Sequence, residues 1–420
     1  MKKTIYIYIF SIIIFILIIY FWCIYKSSIY NHNQIIVSSD IIFNDIHIDH
    51  KRDLFRDIWN PWISPINYCV GPSVSSKNVK IAIEEVINHT CIKFNKINET
   101  TNKTQELLFK KSQRCLSYIG HIESNHTQII ELTPNCYDNP YVILHEIGHA
   151  LGLVHEHART DRDEYIKINT GNMKSDRLSN LEILKTPAYF NYSTYYDYAA
   201  LMHYSQFAFA TFWSSFFGWP VIESKLEREY SWMIGQRKKM TFNEFKQINL
   251  FYCNWCNWID NKTGLLIKNN DYQTLCKNGG YPDYKNCSKC ICPTGYTGDL
   301  CDYIIKSDTE CGKTNFDVNT TETSIVLNDK MTCYFSLKAK NSKKVLLKVT
   351  YVNAPYKESI CTEDTGYQVK YRKDKGATGL LLCGHHSRLI ILKSESNDIL
   401  LFYRGESGHS FMHFTFKEVD

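Results

Sequence analysis

The sequence predicts an α+β domain followed by a small disulfide-rich module and an all-β sandwich, on three observations. Helical and strand-like patterns alternate from Asp53 to about Cys256. Residues 257–303 are loop-rich and dense in cysteine. From Cys311 to Asp420 the chain reads as short strands. At 420 residues it is long enough for two or three domains, each burying a core of its own.

Composition narrows the class. An apolar fraction of 44% with 22% charged residues is ordinary for a globular protein. The net charge of +5 is small for this length and is not gathered into one run, so no nucleic-acid partner is expected. Sixteen cysteines, all but Cys23 lying from Cys69 onward, suit an oxidising compartment. Asn-x-Ser/Thr sequons at Asn88, Asn98, Asn102, Asn125, Asn191, Asn261, Asn286 and Asn319 point the same way, as candidate glycosylation sites of an extracytosolic protein.

The elements follow in order. Residues 1–25 open with Met1-Lys2-Lys3 and continue as an almost unbroken apolar run from Ile5 to Tyr25. Two readings stand: a cleaved signal peptide, or an uncleaved signal anchor of about the ~20 residues that cross a bilayer. Residues 26–52 are polar and end in the dibasic pair Lys51-Arg52, a processing site in form. In the domain at 53–256, Lys80 to Ile87 can place its aliphatic side chains on one helical stripe. Phe242, Phe245, Ile248 and Phe251 repeat at i, i+3 and predict a second helix over Phe242 to Tyr252. In the last region, 304–420, Val345 to Val352 and Leu389 to Leu392 read as strands. Cys311/Cys333 and Cys361/Cys383 have matching spacings there. No internal repeat is evident.

The chemistry is carried by Tyr141 to Val154, YVILHEIGHALGLV. His145 and His149 are four apart, so on a helix they project from one face and can hold one Zn²⁺. Glu146 follows the first ligand, where it can reach a metal-bound water without being a ligand. Gly152 can end the helix through a positive φ, and the chain can then return His155 to the same ion. Three protein ligands leave a position open for water, as a catalytic zinc site requires. Zinc brings the pKa of its water to about 7, Glu146 takes the proton, and hydroxide attacks a peptide carbonyl. Solvated or core histidines are the bland alternative, and the added Gly152 and His155 at fixed offsets count against it. His-Glu-x-x-His-x-x-Gly-x-x-His is the metzincin motif, which implies a zincin-like metzincin fold for the domain.

The continuation narrows the family. His155-Glu156-His157-Ala158-Arg159-Thr160-Asp161-Arg162-Asp163 matches the astacin extension His-Glu-x-x-Arg-x-Asp-Arg-Asp at each fixed position, and Tyr196 to Tyr204 (YDYAALMHY) resembles that family's Met-turn segment. The resemblance to the astacins implies that Met202 floors the zinc. It also implies that Tyr204 is an additional zinc ligand that swings away to stabilise the oxyanion. Ala200 stands where the family often has Ser. Ile234-Gly235-Gln236-Arg237 and Ile248-Asn249 through Tyr252-Cys253 match the end of the astacin domain, so the resemblance covers most of residues 43–253. It implies the disulfides Cys91–Cys253 and Cys115–Cys136. It also gives Glu156 a place near the new N-terminus of a mature enzyme, where an ordinary ion pair is the alternative. Phe43-Asn44-Asp45-Ile46 resembles the astacin propeptide segment Phe-x-Gly-Asp, with Asn44 in place of Gly. Asp45 is then the inhibitory zinc ligand of a propeptide at 26–52, released by cleavage near Arg52.

Cys276-x-Asn-Gly-Gly, Cys287, Cys290-x-Cys292 and Gly295-x-x-Gly298-x-x-Cys301 resemble an EGF-like domain at 257–303. That resemblance implies Cys256–Cys287, Cys276–Cys290 and Cys292–Cys301, leaving Cys69 without a partner. The rival pairs Cys69 with Cys256. The last segment resembles a CUB domain, a β-sandwich with sequential disulfides Cys311–Cys333 and Cys361–Cys383. Such modules bind protein partners or position substrate, or serve only as spacers. Phe207 to Trp219 holds a dense run of aromatics just after the Met-turn, for a substrate pocket, a partner or plain packing.

The leading expectation is an extracellular zinc endopeptidase, made as a zymogen, acting on polypeptide substrates. It is either secreted or anchored as a type II membrane protein through residues 5–25. The alternative is an adhesion or binding protein that acts through its EGF and CUB modules, which the intact set His145, Glu146, His149, His155 and Tyr204 disfavours. A different metzincin is disfavoured by Asp161-Arg162-Asp163.

Overall fold

The computed structural model describes residues 61–101, 105–122, 126–184, 192–260, 267, 276–340, 342–356 and 360–420. The apolar run at 5–25, Asp45, Lys51-Arg52, Asn102, Asn125, Asn191 and Asn261 lie outside the described residues.

The first half of the α+β domain is a parallel sheet backed by two helices. Its strands are β1 (Ile66–Val70), β2 (Phe94–Lys96), β3 (Glu106–Lys111) and β4 (Thr127–Leu132), in the order β2-β1-β3-β4. Every pairing along this path is parallel, so the chain must cross over between strands. Helix α1 (Ser76–His89) makes the first crossover. Ser75 caps it by accepting from the Asn78 amide at 3.3 Å. Val79, Ala82, Ile83 and Val86 form its buried stripe at helical spacing. Each fully buried Val or Ile is worth about 1.5–3 kcal/mol relative to exposure, which fastens the helix to the sheet. Thr90 ends it in an extended conformation, with its hydroxyl donating to the Val86 carbonyl at 2.8 Å.

Helix α2 (Pro140–Ala150) packs beside α1 and carries the motif histidines. Asn139 caps it and Pro140 begins it, where a missing N–H costs nothing. The apolar core under both helices includes Ile66, Leu107, Phe109, Ile130, Leu132, Ile143 and Ile147.

The described residues from Glu156 to Thr241 are mostly loops and short 3₁₀ turns, with the two-stranded pair β5 (Ile166–Ile168) and β6 (Ile222–Ser224). Helix α3 (Phe212–Phe217) is a short turn capped by Thr211 and closed by Gly218 at φ +70°. Helix α4 (Phe242–Tyr252) ends the domain, and Cys91–Cys253 ties its end to the end of α1. Cys115–Cys136 links the segment after β3 to the turn before α2.

Three disulfides, Cys256–Cys287, Cys276–Cys290 and Cys292–Cys301, staple the next module, a hairpin β7 (Tyr281–Asp283)/β8 (Asn286–Ile291) and a short pair β9 (Tyr296–Thr297)/β10 (Tyr303–Ile304). Cys69 is buried as a free cysteine. The last region is a sandwich of two five-stranded sheets. Cys311–Cys333 and Cys361–Cys383 are bonded within it.

The sandwich is not held at arm's length. A single apolar cluster runs from Tyr196, Tyr198, Tyr230 and Met233 of the α+β domain into Leu380, Leu381 and Val369 of the sandwich. Tyr296 and Cys301 of the small module pack on Leu400 and Phe402. The three regions therefore share buried surface.

Candidate metal centre

Helix α2 presents His145 and His149 one turn apart. Leu151 closes the helix, and Gly152 follows at φ +102°, a conformation that L side chains rarely adopt. This turn does two things. It lets the Leu153 carbonyl meet His149 Nδ1 at 2.8 Å, and it sends the chain back to His155. The His145 Nδ1 meets the Leu201 carbonyl at 2.9 Å. A carbonyl only accepts, so both rings carry their proton on Nδ1 and leave Nε2 as a lone-pair donor. The Nε2 atoms of His149 and His155 stand 3.1 Å apart, and the ligand atoms of all three histidines lie within 4.8 Å of one another.

Burial keeps these rings neutral. It pushes His145 and His155 well below the usual histidine range and His149 down to about 4, with the Arg237 guanidinium acting in the same sense. Three neutral imidazoles converging on one point are the donor set of a catalytic zinc site, so the residues present fit a Zn²⁺ ion.

Glu146 is buried beside the triad. Burial pushes its carboxyl up to about 8, while Arg237 and the Ser117 backbone pull it down. Its Oε1 makes no hydrogen bond among the described residues. Met202 is buried under α2, and a Cβ at Gly148 would approach its sulfur to 3.0 Å, so the glycine between the two ligands lets the floor come close. The Tyr204 ring stands 4.3 Å from that of His155 and stacks on His157 at 4.1 Å.

The residues after His155 form a clamp. Arg159 donates to both carboxylate oxygens of Asp161 at 2.8 Å, to Glu156 at 3.1 Å and to the Thr194 carbonyl at 2.9 Å. Arg162 donates to the carbonyls of His157 and Leu181 and to Asp163. Glu156 is thus ion-paired with Arg159, and it also accepts from the Asp197 amide at 2.8 Å. Of the sequons, Asn88, Asn98, Asn286 and Asn319 are exposed. In the aromatic run, Phe209 is buried near Tyr204 while Phe212, Trp213, Phe217 and Trp219 face solvent on and after α3.

Sequence reasoning missed the supports of the turn between Ala199 and Tyr204. Glu244, the third residue of α4, accepts from the amides of Leu201 at 3.0 Å and Met202 at 2.8 Å, and from the amide and hydroxyl of Thr241 at 2.7 and 3.0 Å. The Thr-x-x-Glu spacing of a capping box was the available signal. Gln236 donates to the Ala199 carbonyl, and Arg237 to the His203 carbonyl. The Glu156 amide donates to the Met202 carbonyl at 3.0 Å, joining the ligand strand to the floor.

Comparison with known proteins agrees with this geometry. Residues 55–253 match the family model of the Astacin peptidases. The chain is 29% identical over 368 residues to zinc metalloproteinase nas-34 of Caenorhabditis elegans, covering 86% of this chain and 56% of that protein. It is 34% identical over 255 residues to zinc metalloproteinase nas-25 of the same organism, covering 60% of this chain and 59% of that protein. It therefore spans little more than half the length of these relatives. High choriolytic enzyme 1, a hatching enzyme zinc-protease from Oryzias latipes (medaka fish), matches 46% of this chain and 94% of that chain, at 26% identity and a TM-score of 0.40. Chains of this kind are zinc-dependent. With the histidine triad, the Arg159–Asp163 clamp and the buried Met202, residues 55–253 are similar to the astacin peptidases.

Proposed function

We propose that the chain is a zinc-dependent endopeptidase that cuts polypeptides outside the cytosol. The observation that carries this reading is the convergence of the three histidine ligand atoms beside a buried Glu146 whose Oε1 has no hydrogen-bond partner among the described residues. His145, His149 and His155 would hold the ion, which when bound supplies Lewis acidity toward water and a carbonyl oxygen. Glu146 Oε1 accepts the proton of the attacking water and returns it to the leaving amine. Tyr204 stands beside His155, where its phenol can donate to the developing oxyanion. The buried carbonyls of Leu201 and Leu153 hold the ligand rings in one tautomer throughout.

The remaining assignments belong to the same proposal. Residues 26–52 act as a propeptide with Asp45 on the open metal position, and cleavage near Arg52 releases it. Residues 257–303 are an EGF-like module and 304–420 a CUB-like sandwich, with protein partners or substrate positioning as their role. Among the described residues, seven disulfides and four exposed sequons support an oxidising, glycosylating compartment. No helix among the described residues is long and apolar enough to cross a membrane.

The test is hydrolysis of a casein substrate by the processed chain and its Glu146→Ala variant, with zinc content measured in both. Equal zinc and a loss of about 10²–10⁴-fold in kcat are expected, the usual range for a general acid–base. Equal activity in the two would overturn the mechanism.

A further inference from the structure

The sandwich grips the segment that leads into the metal floor. One of its loops supplies three residues that contact this segment. Arg372 donates to the Tyr196 carbonyl at 2.6 Å, with its guanidinium 5.0 Å from the Tyr165 ring centroid and 5.4 Å from that of Tyr195. Asp374 Oδ2 accepts from the Tyr195 amide at 3.0 Å and from Asn243 on α4 at 3.1 Å. Thr378 donates twice to Asp197 Oδ2, from its amide and its hydroxyl, each at 3.0 Å.

Asp197 is the joint. Its Oδ1 accepts from the Ala199 amide at 3.0 Å, its own amide donates to Glu156, and the chain reaches Leu201 four residues on, where the carbonyl fixes His145. Asp197 and Thr378 are each only 2% exposed. A carboxylate oxygen at such depth needs donors, because a buried charge without hydrogen bonds is strongly unfavourable. Thr378 provides two of them from a domain 181 residues away. Without them Asp197 gains by turning toward water, and the turn from Ala199 to Met202 loses one of its anchors.

We infer that Asp374 and Thr378 are positioning residues of the metal centre, so that the C-terminal sandwich is a working part of the peptidase site. This rests on the reading of His145, His149 and His155 as zinc ligands. Lys239, which pairs with Glu363 and Asp364, also bridges the domain and the sandwich, but its side chain makes no hydrogen bond to the turn. It is the control for docking as such.

The experiment uses the full chain, with folding checked by near-UV circular dichroism, and reads zinc affinity by chelator competition together with the visible spectrum of the Co²⁺-substituted protein. Direct outer-shell partners of ligands usually change affinity about 10–100-fold. One step further out, Thr378→Val and Asp374→Ala are each expected to weaken zinc binding roughly 3–10-fold and to shift the Co²⁺ bands, an attenuated form of that effect. Thr378→Ser restores the hydroxyl and should return the affinity to within about twofold, and Lys239→Ala should leave it there. Affinities unchanged in both Thr378→Val and Asp374→Ala would overturn the inference. So would a Lys239→Ala loss as large as that of Thr378→Val. A parent chain that binds no zinc would overturn the zinc reading itself, which is a distinguishable result.

Discussion

Replacing Glu244 with alanine tests how the floor of the metal site is held. The carboxylate accepts four hydrogen bonds, three from the amides of Leu201, Met202 and Thr241 and one from the Thr241 hydroxyl, at 2.7–3.0 Å. The hydroxyl can turn elsewhere, but the three amides are fixed in buried backbone. Leaving a buried donor unsatisfied costs about 1–3 kcal/mol, so the variant should lose about 3–6 kcal/mol after water fills part of the gap. Glu244→Gln keeps the shape but turns an NH₂ group toward amide donors, and about 2–3 kcal/mol of loss is expected on the same reasoning. For a domain of this size each kcal/mol moves the midpoint by roughly 2–4 °C, so the glutamine variant should melt about 4–12 °C below the parent. The assay is thermal unfolding of the zinc-loaded chain by circular dichroism, at one protein and zinc concentration. Leu201 also carries the carbonyl that orients His145, so zinc affinity should fall in the same order, glutamine before alanine. A Glu244→Ala chain that melts within a degree of the parent would refute the role given to these bonds.

Two further outcomes are expected. His203 is buried, donates from Nδ1 to the Tyr204 carbonyl, accepts from the Tyr196 hydroxyl at Nε2, and is pushed down to about 4 chiefly by burial. Its unfolded form takes up a proton below about 6.5, so between pH 6.5 and 4 the unfolded state binds more protons and stability falls with pH, by about 3 kcal/mol across that window. The difference in unfolding free energy between the parent and His203→Gln should carry this slope. A difference that does not vary with pH would contradict it, whatever the opposite-signed Glu146, Glu156 and Glu244 do to both chains. In the uncleaved precursor, Asp45→Ala should raise activity on casein toward that of the processed chain, and no rise would remove Asp45 from the inhibitory role.

The site was legible in the sequence wherever its geometry is local. His145 and His149 meet because four residues make about one turn of helix, and Gly152 returns His155 because only a positive φ ends the helix that way. The stripe of Val79, Ala82, Ile83 and Val86 was readable for the same reason, although Ser75 and Thr90 set its ends beyond Lys80 and Ile87. The roles of Met202 and Tyr204 came from family resemblance alone, since a buried methionine and tyrosine at those positions read equally well as core.

What the sequence by itself determined is thus the helical pairing of His145 and His149, the return of His155, the Glu146 carboxylate beside them and the cysteine-rich character of the region that follows. Only the tertiary structure decided what holds those side chains still. The Leu201 carbonyl meets His145 across 56 residues, Glu244 meets Met202 across 42, and Thr378 meets Asp197 across 181. In that structure Cys256 lies against Cys287, and Cys69 is buried with its thiol near the Asn98 carbonyl. The reason is physical. Spacing within one helical turn is imposed by covalent geometry, whereas contacts between distant segments depend on which apolar faces pack, and the cluster that joins Tyr196 and Met233 to Leu381 has no periodicity along the chain to announce it.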